Sequence, residues 1–237
     1  GVERFDVTVE QGSWLNSMSS TNNTLRMVTV KNGDTGGDGV DAGAGKGNLF
    51  IGASLAGGDA MTAWQDAARL LSTDGLTDVK TFDASEMGGN VNIGAQITSA
   101  AYDKYLKDVD GVNKMDASYA PKGPFSYKTG TGNDTVNMTV NGGVAADRDF
   151  IMNVETGAGD DLINFTLGQY VNDVLVAPTA NEIADQVALK NVTIDTGAGN
   201  DVIKLPGSGA VKVLAGAGND AIYTDNTGAT TVSYTHL

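Results

Sequence analysis

Four short loops in the second half of the chain combine glycines and acids in a pattern that suits a hard cation. Each reads glycine, any residue, glycine, asparagine or aspartate, and then aspartate. The closing acids are Asp134, Asp161, Asp201 and Asp220. Calcium takes about six to eight oxygen ligands from carboxylates and backbone carbonyls, and glycines let successive carbonyls turn toward one point. The loops are therefore predicted calcium sites.

The predicted calcium ligands are the glycines and acids of these loops. They are Gly130, Gly132, Asp134, Gly157, Gly159, Asp160, Asp161, Gly197, Gly199, Asp201, Gly216, Gly218 and Asp220. Glu155 and Asp195, each two residues before a first glycine, are either extra ligands or solvated strand positions. The plainer alternative is that Asn-Asp and Gly-Asp favour tight turns in any β-protein. A turn alone does not require two glycines before every aspartate, which favours calcium.

The residues on both sides of each loop alternate between apolar and polar, which is the period of a β-strand. Four strand–loop–strand units form an internal repeat of the kind that indicates a solenoid. Their first glycines are separated by 27, 40 and 19 residues. The shortest interval suits one coil of a parallel β-solenoid, and the longer intervals indicate insertions. The longest contains a predicted helix, capped by Thr179 and Glu182.

Stacking of the predicted coils gives the acids a reason to bind a cation. Neighbouring strands lie about 4.8 Å apart, so equivalent aspartates on adjacent coils would be separated by a similar distance. Two unit charges at that separation repel by roughly 3–4 kcal/mol at an effective dielectric constant of about 20. A divalent ion between them turns this repulsion into attraction. Folding is therefore expected to be linked to calcium binding.

The repeated loops resemble those of RTX (repeats-in-toxin) calcium-binding domains, whose consensus is G-G-x-G-x-D-x-U-x with U a large apolar residue. Segments 156–163, 196–203 and 215–222 match from the second glycine onward, segment 129–136 matches less well, and the resemblance covers 125–224. It implies a parallel β-roll with calcium between loops, type I export, and roles in toxins, adhesins, secreted enzymes and S-layers. Two features depart from the family: Thr or Ala replaces the first glycine, and the copies are not in nine-residue tandem. This scattered arrangement is more similar to the RTX-type coils of surface-layer and large adhesin proteins.

The first half of the chain is less regular. Segments 26–31 and 79–97 are predicted strands, and 61–71 and 100–109 are predicted short helices. Segment 41–51 resembles a degenerate loop copy, with Lys46 and Gly47 where the loop acids should be. We predict an irregular β-rich region with two short helices over 1–120, a β-solenoid over 121–231, and a non-native tail over 232–237. The absence of an initial methionine predicts that the chain is a fragment.

Composition excludes several classes of function. A formal charge of −14 is unfavourable for nucleic-acid binding, which needs clustered lysines and arginines. There is no cysteine, and the one histidine, His236, lies in the predicted tail, so the common catalytic triads and zinc-hydrolase motifs are not expected. Arg148 is the one candidate base for a lyase, and it is also explained as a surface ion pair. No apolar run is long enough to cross a bilayer. We expect a protein that is not an enzyme.

The sequence as a whole predicts a mostly β protein with a right-handed parallel β-solenoid or β-roll and short helical insertions. Its expected function is that of a calcium-binding structural segment of a secreted or cell-surface bacterial protein, of the S-layer or adhesin type. Calcium ions are the expected partners, with other copies of the chain or cell-surface polysaccharide as further candidates. Two alternatives stay open: the repeat region of a secreted enzyme or toxin whose catalytic domain lies elsewhere, and a phage structural protein.

Overall fold

Alternation of apolar and polar side chains produces sixteen strands in the part of the chain that the structure describes. The computed structural model describes residues 1–10, 12–33, 47–52, 75–107, 122–145, 147, 149–171, 174–176, 189–205 and 209–224. The strands are β1 Arg4–Val9, β2 Ser13–Leu15, β3 Met27–Asn32, β4 Leu49–Ile51, β5 Leu76–Thr77, β6 Thr81–Glu86, β7 Val91–Ile97, β8 Phe125–Lys128, β9 Thr135–Asn141, β10 Met152–Glu155, β11 Leu162–Val171, β12 Val174–Val176, β13 Leu189–Asp195, β14 Val202–Leu205, β15 Gly209–Leu214 and β16 Ala221–Thr224.

The strands form two sheets in which nearly all neighbours are parallel. The first sheet has the order β1-β3-β6-β8-β10-β13-β15, and the second has β16-β14-β11-β9-β7-β4-β2. β5 pairs with β7, and β12 pairs antiparallel with β11 beside this path. From β8 to β11, successive strands alternate between the sheets, and each new strand lies beside the one two places earlier. The predicted mostly β fold is confirmed.

Short helical turns interrupt the strands. They are a 3-10 turn at Thr21–Asn23, a π-helical turn at Tyr102–Leu106 and a single α-turn, α1, at Gly142–Ala145. The helix predicted over 100–109 therefore exists as a π turn over its centre. The predicted helices at 61–71 and after Thr179, and the predicted tail, lie outside the described residues. In the described part of the chain, no helix has the length and apolar character that crossing a bilayer requires.

The core consists of side chains stacked in rows on the inward faces of the sheets. In the second sheet, register aligns Ile51, Ile93, Val136, Ile163 and Ile203, all of which are fully buried. β-Branched side chains suit this arrangement because they pack well against neighbours on a pleated surface. Each row therefore joins residues that are far apart in sequence.

The facing row in the first sheet is mixed aromatic and aliphatic. Its register aligns Val28, Phe82, Tyr127, Val154 and Ile194, and all are fully buried. The phenol of Tyr127 donates to the Val79 carbonyl at 2.7 Å, which satisfies the one polar group in this row. Because β6 pairs with β8 and β7 pairs with β9, both sheets contain strands from either side of the predicted 120/121 boundary.

Candidate functional site

The four glycine-rich loops each connect the end of a first-sheet strand to the start of a second-sheet strand, so they lie along one edge of the stack. Their order follows the sheets: 130–134, 157–161, 197–201 and then 216–220. Their middle residues form parallel bridges from Ala158 to Ala198 and from Ala198 to Ala217. The Ala198 N–H donates to the Gly157 carbonyl at 3.0 Å, and the next loop repeats this bond. The structure thus brings the four predicted loops together.

Three of the loops share a backbone conformation that requires glycine. Gly157, Gly197 and Gly216 have φ values of 91°, 82° and 78°, in the left-handed region. A Cβ on Gly197 would fall on the carbonyl oxygen of Gly157 one repeat earlier. In the first loop, Gly130 does not have a positive φ, and its Cβ would meet the carbonyl of Met87 instead. The first loop therefore differs in geometry from the other three.

The closing aspartates form a ladder that links each repeat to the next. The Asp134 N–H donates to Oδ1 of Asp161 at 2.8 Å, and the Asp161 N–H donates to Oδ1 of Asp201 at 2.9 Å. The Asp201 N–H donates to Oδ1 of Asp220 at 3.0 Å. Each carboxylate therefore reaches back to the preceding repeat. One oxygen of each is committed to this ladder.

The second carboxylate oxygen is the unusual feature of this edge. Oδ2 of Asp161, Asp201 and Asp220 is buried and has no hydrogen-bond partner within the described residues. Burial without a compensating partner disfavours the charged form of a carboxylate. Burial accordingly raises the pKa of Asp161 to about 7, and it also raises the pKa of Asp201. Contacts with the Thr156 and Thr196 side chains and the backbone N–H bonds of the ladder oppose these shifts, while the neighbouring loop carboxylates raise both pKa values further.

Asp134 stands apart from the other three because the protein satisfies both of its oxygens. Oδ1 accepts the Val91 N–H at 2.8 Å, and Oδ2 accepts the N–H of Gly130 in the same loop at 3.2 Å. Burial raises the pKa of Asp134 to about 6, and contact with the Thr129 side chain together with these two backbone hydrogen bonds opposes the shift. The carboxylate of the first loop is therefore held by hydrogen bonds within the fold.

A second ladder runs along the same edge through the residue before each aspartate. The N–H groups of Asn133, Asp160, Asn200 and Asn219 each donate to the side-chain oxygen of the equivalent residue one repeat earlier, at 2.7–3.0 Å. This ladder runs opposite in direction to the aspartate ladder. It stabilises the stack without any ion, since each bond joins two repeats.

This second ladder, which we call the asparagine ladder, extends into the first half of the chain. The sequence pattern did not predict this extension. The Asn133 N–H donates to Oδ1 of Asn90, and the Asn90 N–H donates to Oδ1 of Asn48 at 2.8 Å. Val91 and Leu49 then take the position of the closing aspartate. The predicted degenerate copy at 41–51 is therefore wrong by two residues, because Asn48 and Leu49 occupy the loop positions expected for Lys46 and Gly47. The sequence feature that marks these two positions is an asparagine directly before a strand, Asn48 before β4 and Asn90 before β7.

Threonine stands in three of the four loops at the position where the RTX consensus has its first glycine. Thr129, Thr156 and Thr196 are buried at this position. The Thr129 hydroxyl donates to the Thr156 carbonyl at 3.1 Å, and the Thr196 hydroxyl donates to the Ala215 carbonyl at 3.1 Å. A glycine would lack this bond to the next repeat. The replacement therefore adds a connection between repeats, at a typical net gain of about 1 kcal/mol per bond.

Glu155 lies on the solvent side of the first sheet. Its Oε2 accepts a hydrogen bond from Lys128 Nζ at 2.7 Å, and both side chains are substantially exposed. Asp195 is the next residue in register on the adjacent strand. The geometry thus favours the reading of Glu155 as a solvated strand position. Exposed pairs of this kind contribute little to stability, typically below about 1 kcal/mol.

Side-chain ligands alone do not form a complete metal site at this edge. Among the residues that the structure describes, no group of three or more His, Cys, Asp or Glu side chains is placed to hold a metal. Calcium differs from transition metals in accepting backbone carbonyls and water as the remainder of its shell. Any calcium here would therefore combine an aspartate with loop carbonyls, which the glycine backbone makes accessible.

The raised pKa values predict how stability depends on pH in metal-free buffer. Because the pKa of Asp134 and Asp161 is raised to about 6 and about 7 from 3.8, the folded protein keeps protons that the unfolded chain releases. Their contribution to stability is complete below about pH 4 and is lost as pH rises through about 6 and 7. Urea denaturation at pH 4–8 should show this decline. Asp161→Asn should flatten it, and an equal slope in that variant would contradict the assignment.

Comparison of the chain with protein-family models, with curated proteins and with solved structures found no match in any of the three.

Proposed function

We propose that this chain is a calcium-stabilised structural segment of a secreted or cell-surface protein. In this proposal the two sheets are the faces of a right-handed parallel β-solenoid, and calcium ions hold its acidic edge together. The alternation of strands between two parallel sheets supports the solenoid. Right-handed connections are the strong preference for parallel strands joined by a crossover.

One observation carries the proposal: three buried carboxylate oxygens without partners lie on successive repeats of a single edge. They are the Oδ2 atoms of Asp161, Asp201 and Asp220. A buried carboxylate that lacks a partner is either protonated or paired with a cation. Above the pKa of about 7 that burial gives Asp161 in the metal-free fold, protonation no longer neutralises that carboxylate. A bound cation supplies the compensating positive charge, and the unpartnered Oδ2 atoms coordinate it.

Asp161, Asp201 and Asp220 are better suited to binding a cation than Asp134 of the first loop. Asp134 has its two oxygens occupied by the Val91 and Gly130 N–H groups, and Gly130 does not share the left-handed conformation of Gly157. We therefore assign calcium to the loops at 157–161, 197–201 and 216–220. In this assignment, the loop at 130–134 is a hydrogen-bonded junction between the metal-binding repeats and the described strands that precede them.

Calcium bound there would supply positive charge between stacked anions and would join neighbouring loops. The aspartates and the loop carbonyls would hold it, while the Oδ1 ladder keeps each carboxylate pointed toward the preceding repeat. Affinities of extracellular calcium modules lie in the range of about 10⁻⁴–10⁻³ M, which suits a medium rich in calcium. A site of this affinity would suit an extracellular location, and we propose other copies or surface polysaccharide as further partners.

Thermal unfolding in calcium and in metal-free buffer tests the proposal. Calcium at a hundred times its dissociation constant should stabilise the folded state by about 2.7 kcal/mol, which corresponds to several degrees in Tm. Magnesium at the same concentration is the matched control, because it prefers a tighter octahedral shell and keeps its water. An unchanged melting curve in calcium, or an equal shift with magnesium, would contradict the proposal.

A further inference from the structure

A cluster of cations surrounds Tyr105. It lies where the strands of the first sheet begin, whereas the glycine-rich loops lie where the strands of that sheet end. We call it the Tyr105 cluster; its cations are Arg26, Lys80 and Lys104, and Lys122 acts on Lys80 through its charge. Arg26 Cζ and Lys80 Nζ each lie 5.5 Å from the Tyr105 ring centroid, and Lys104 Nζ lies 5.0 Å from it. The whole chain has only 15 lysines and arginines against 29 acids. The concentration of positive charge is therefore a local feature of an acidic protein.

Arg26 and Lys80 occupy positions that elsewhere belong to the core. They precede β3 and β6 and are stacked on adjacent strands, with the Lys80 N–H donating to the Arg26 carbonyl at 2.9 Å. The next residue in this row is Phe125, which is 1% exposed. Residues two apart on a strand face the same side, so the positions of Lys80 and Phe125 face inward like Phe82 and Tyr127. Two cations thus stand where the following repeat places a buried aromatic side chain.

Stacking of these cations is unfavourable without an anion. Adjacent strands lie about 4.8 Å apart, and like charges directly opposite each other are destabilising. Burial lowers the pKa of Lys80, and the charges of Arg26 and Lys122 lower it further. Burial also lowers the pKa of Lys104 to about 8, with Arg26 contributing to the shift. The cation–π contacts with Tyr105 offset part of this repulsion.

Asp78, the described carboxylate whose charge acts on Lys104 and Tyr105, is already committed to other groups. Asp78 Oδ1 accepts the Thr98 N–H at 2.6 Å, and its Oδ2 accepts the Thr98 hydroxyl at 2.7 Å and the Asn23 amide at 2.6 Å. Lys104 is committed as well, since its Nζ donates to the carbonyls of Leu25 and Asp78 at 2.6 and 2.9 Å. Lys104 is therefore a structural member of the cluster. Arg26 and Lys80 are the members that present charge at its rim.

We propose that Arg26 and Lys80 of the Tyr105 cluster form a binding site for a tetrahedral oxyanion, sulfate or phosphate. The guanidinium supplies a planar pair of donors, and the ammonium supplies a compact charge beside it. Lys122 adds positive potential from the next repeat. The ligand is either the free ion or the same group carried as an ester on a glycan, since both present three or more acceptor oxygens.

Anion titration of the full chain tests this site. Sodium sulfate is titrated against sodium chloride at constant ionic strength in calcium-free buffer, and Tm and amide chemical shifts are recorded. Sulfate should raise Tm and shift the amide resonances of residues 26 and 80. Arg26→Gln with Lys80→Gln should weaken binding about tenfold or more, because two charge-assisted hydrogen bonds are lost. Lys31→Gln with Lys212→Gln makes the same charge change on exposed strand positions and should leave binding unchanged.

Comparison of sulfate with methyl sulfate distinguishes a free ion from an ester as the ligand, and comparison of the two double variants tests whether the site exists. Methyl sulfate binding as well as sulfate identifies a site open to esters, and sulfate binding alone identifies a site for the free ion; both support the proposal. No response above chloride, or equal losses in the two double variants, overturns it. If the Arg26/Lys80 variant does not fold, Lys80→Gln alone carries the comparison, with Lys31→Gln as its control. The result is independent of calcium binding at the opposite edge.

Discussion

Replacing Gly197 with alanine is expected to destabilise the protein by more than about 2 kcal/mol, because two penalties add. Gly197 has a φ of 82°, and a Cβ placed there would fall on the Gly157 carbonyl oxygen. That oxygen accepts the Ala198 N–H at 3.0 Å, so relief of the clash would pull the two loops apart. Urea denaturation in metal-free buffer measures the change without any contribution from calcium.

Gly123 provides the matched control for this substitution. A Cβ added at Gly123 has no atom within 4 Å, and the residue is exposed. Gly123→Ala should therefore change the free energy of unfolding by less than about 0.5 kcal/mol. Equal stabilities for the Gly197 and Gly123 variants would show that the loops do not stack as described. Loss of stability in the Gly197 variant alone would support the close contact between loops.

Replacing Asp201 and Asp220 together with asparagine is expected to abolish most of the stabilisation by calcium. Asparagine keeps an oxygen that can accept the N–H of the preceding repeat, so the ladder is retained. The substitution removes the charges of the two buried Oδ2 atoms. In metal-free buffer at pH 8 the variant should therefore be more stable than the wild type. In saturating calcium the order should reverse, with the wild type ahead by about 2 kcal/mol or more.

The reversal separates a metal site from a general charge effect. Glu3→Gln with Glu10→Gln makes the same change in net charge at exposed positions. This control should respond to calcium as the wild type does. If it loses the calcium response equally, the ion acts by screening the charge of −14. If the Asp201/Asp220 variant keeps the full response, the loop carboxylates are not the ligands.

The local structure around the loops could be predicted because its causes are local. Alternation in segments 125–128 and 152–155 predicted strands, and β8 and β10 lie there. The glycines at 157 and 197 predicted backbone conformations that other residues avoid, and both have positive φ. The stacking of the four loops followed from the repeat, since equivalent units in parallel sheets place equivalent residues side by side.

Features that depend on register between distant segments could not be predicted. The asparagine ladder reaches Asn48 and Asn90, where Leu49 and Val91 replace the closing aspartate and hide the repeat. The sequence also did not distinguish Asp134 from the later acids. That distinction arises because the Val91 N–H, 43 residues away, donates to the Asp134 carboxylate.

The Tyr105 cluster has the same origin. Tyr105 is a buried residue, 6% exposed. The cations around it come from three separate segments, and only the alignment of β3 with β6 brings Arg26 beside Lys80. A periodic pattern along one segment contains no information on this pairing. Charge convergence of this kind is a property of the stack of strands.

Isothermal titration of the metal-free protein with calcium tests the central claim most directly. We expect saturable binding with a dissociation constant in or below the range of about 10⁻⁴–10⁻³ M that extracellular calcium modules show. Binding should persist in Asp134→Asn and should be lost when Asp161, Asp201 and Asp220 are all replaced with asparagine. Absence of saturable calcium binding by the folded wild type, or full binding by the triple variant, would contradict the account.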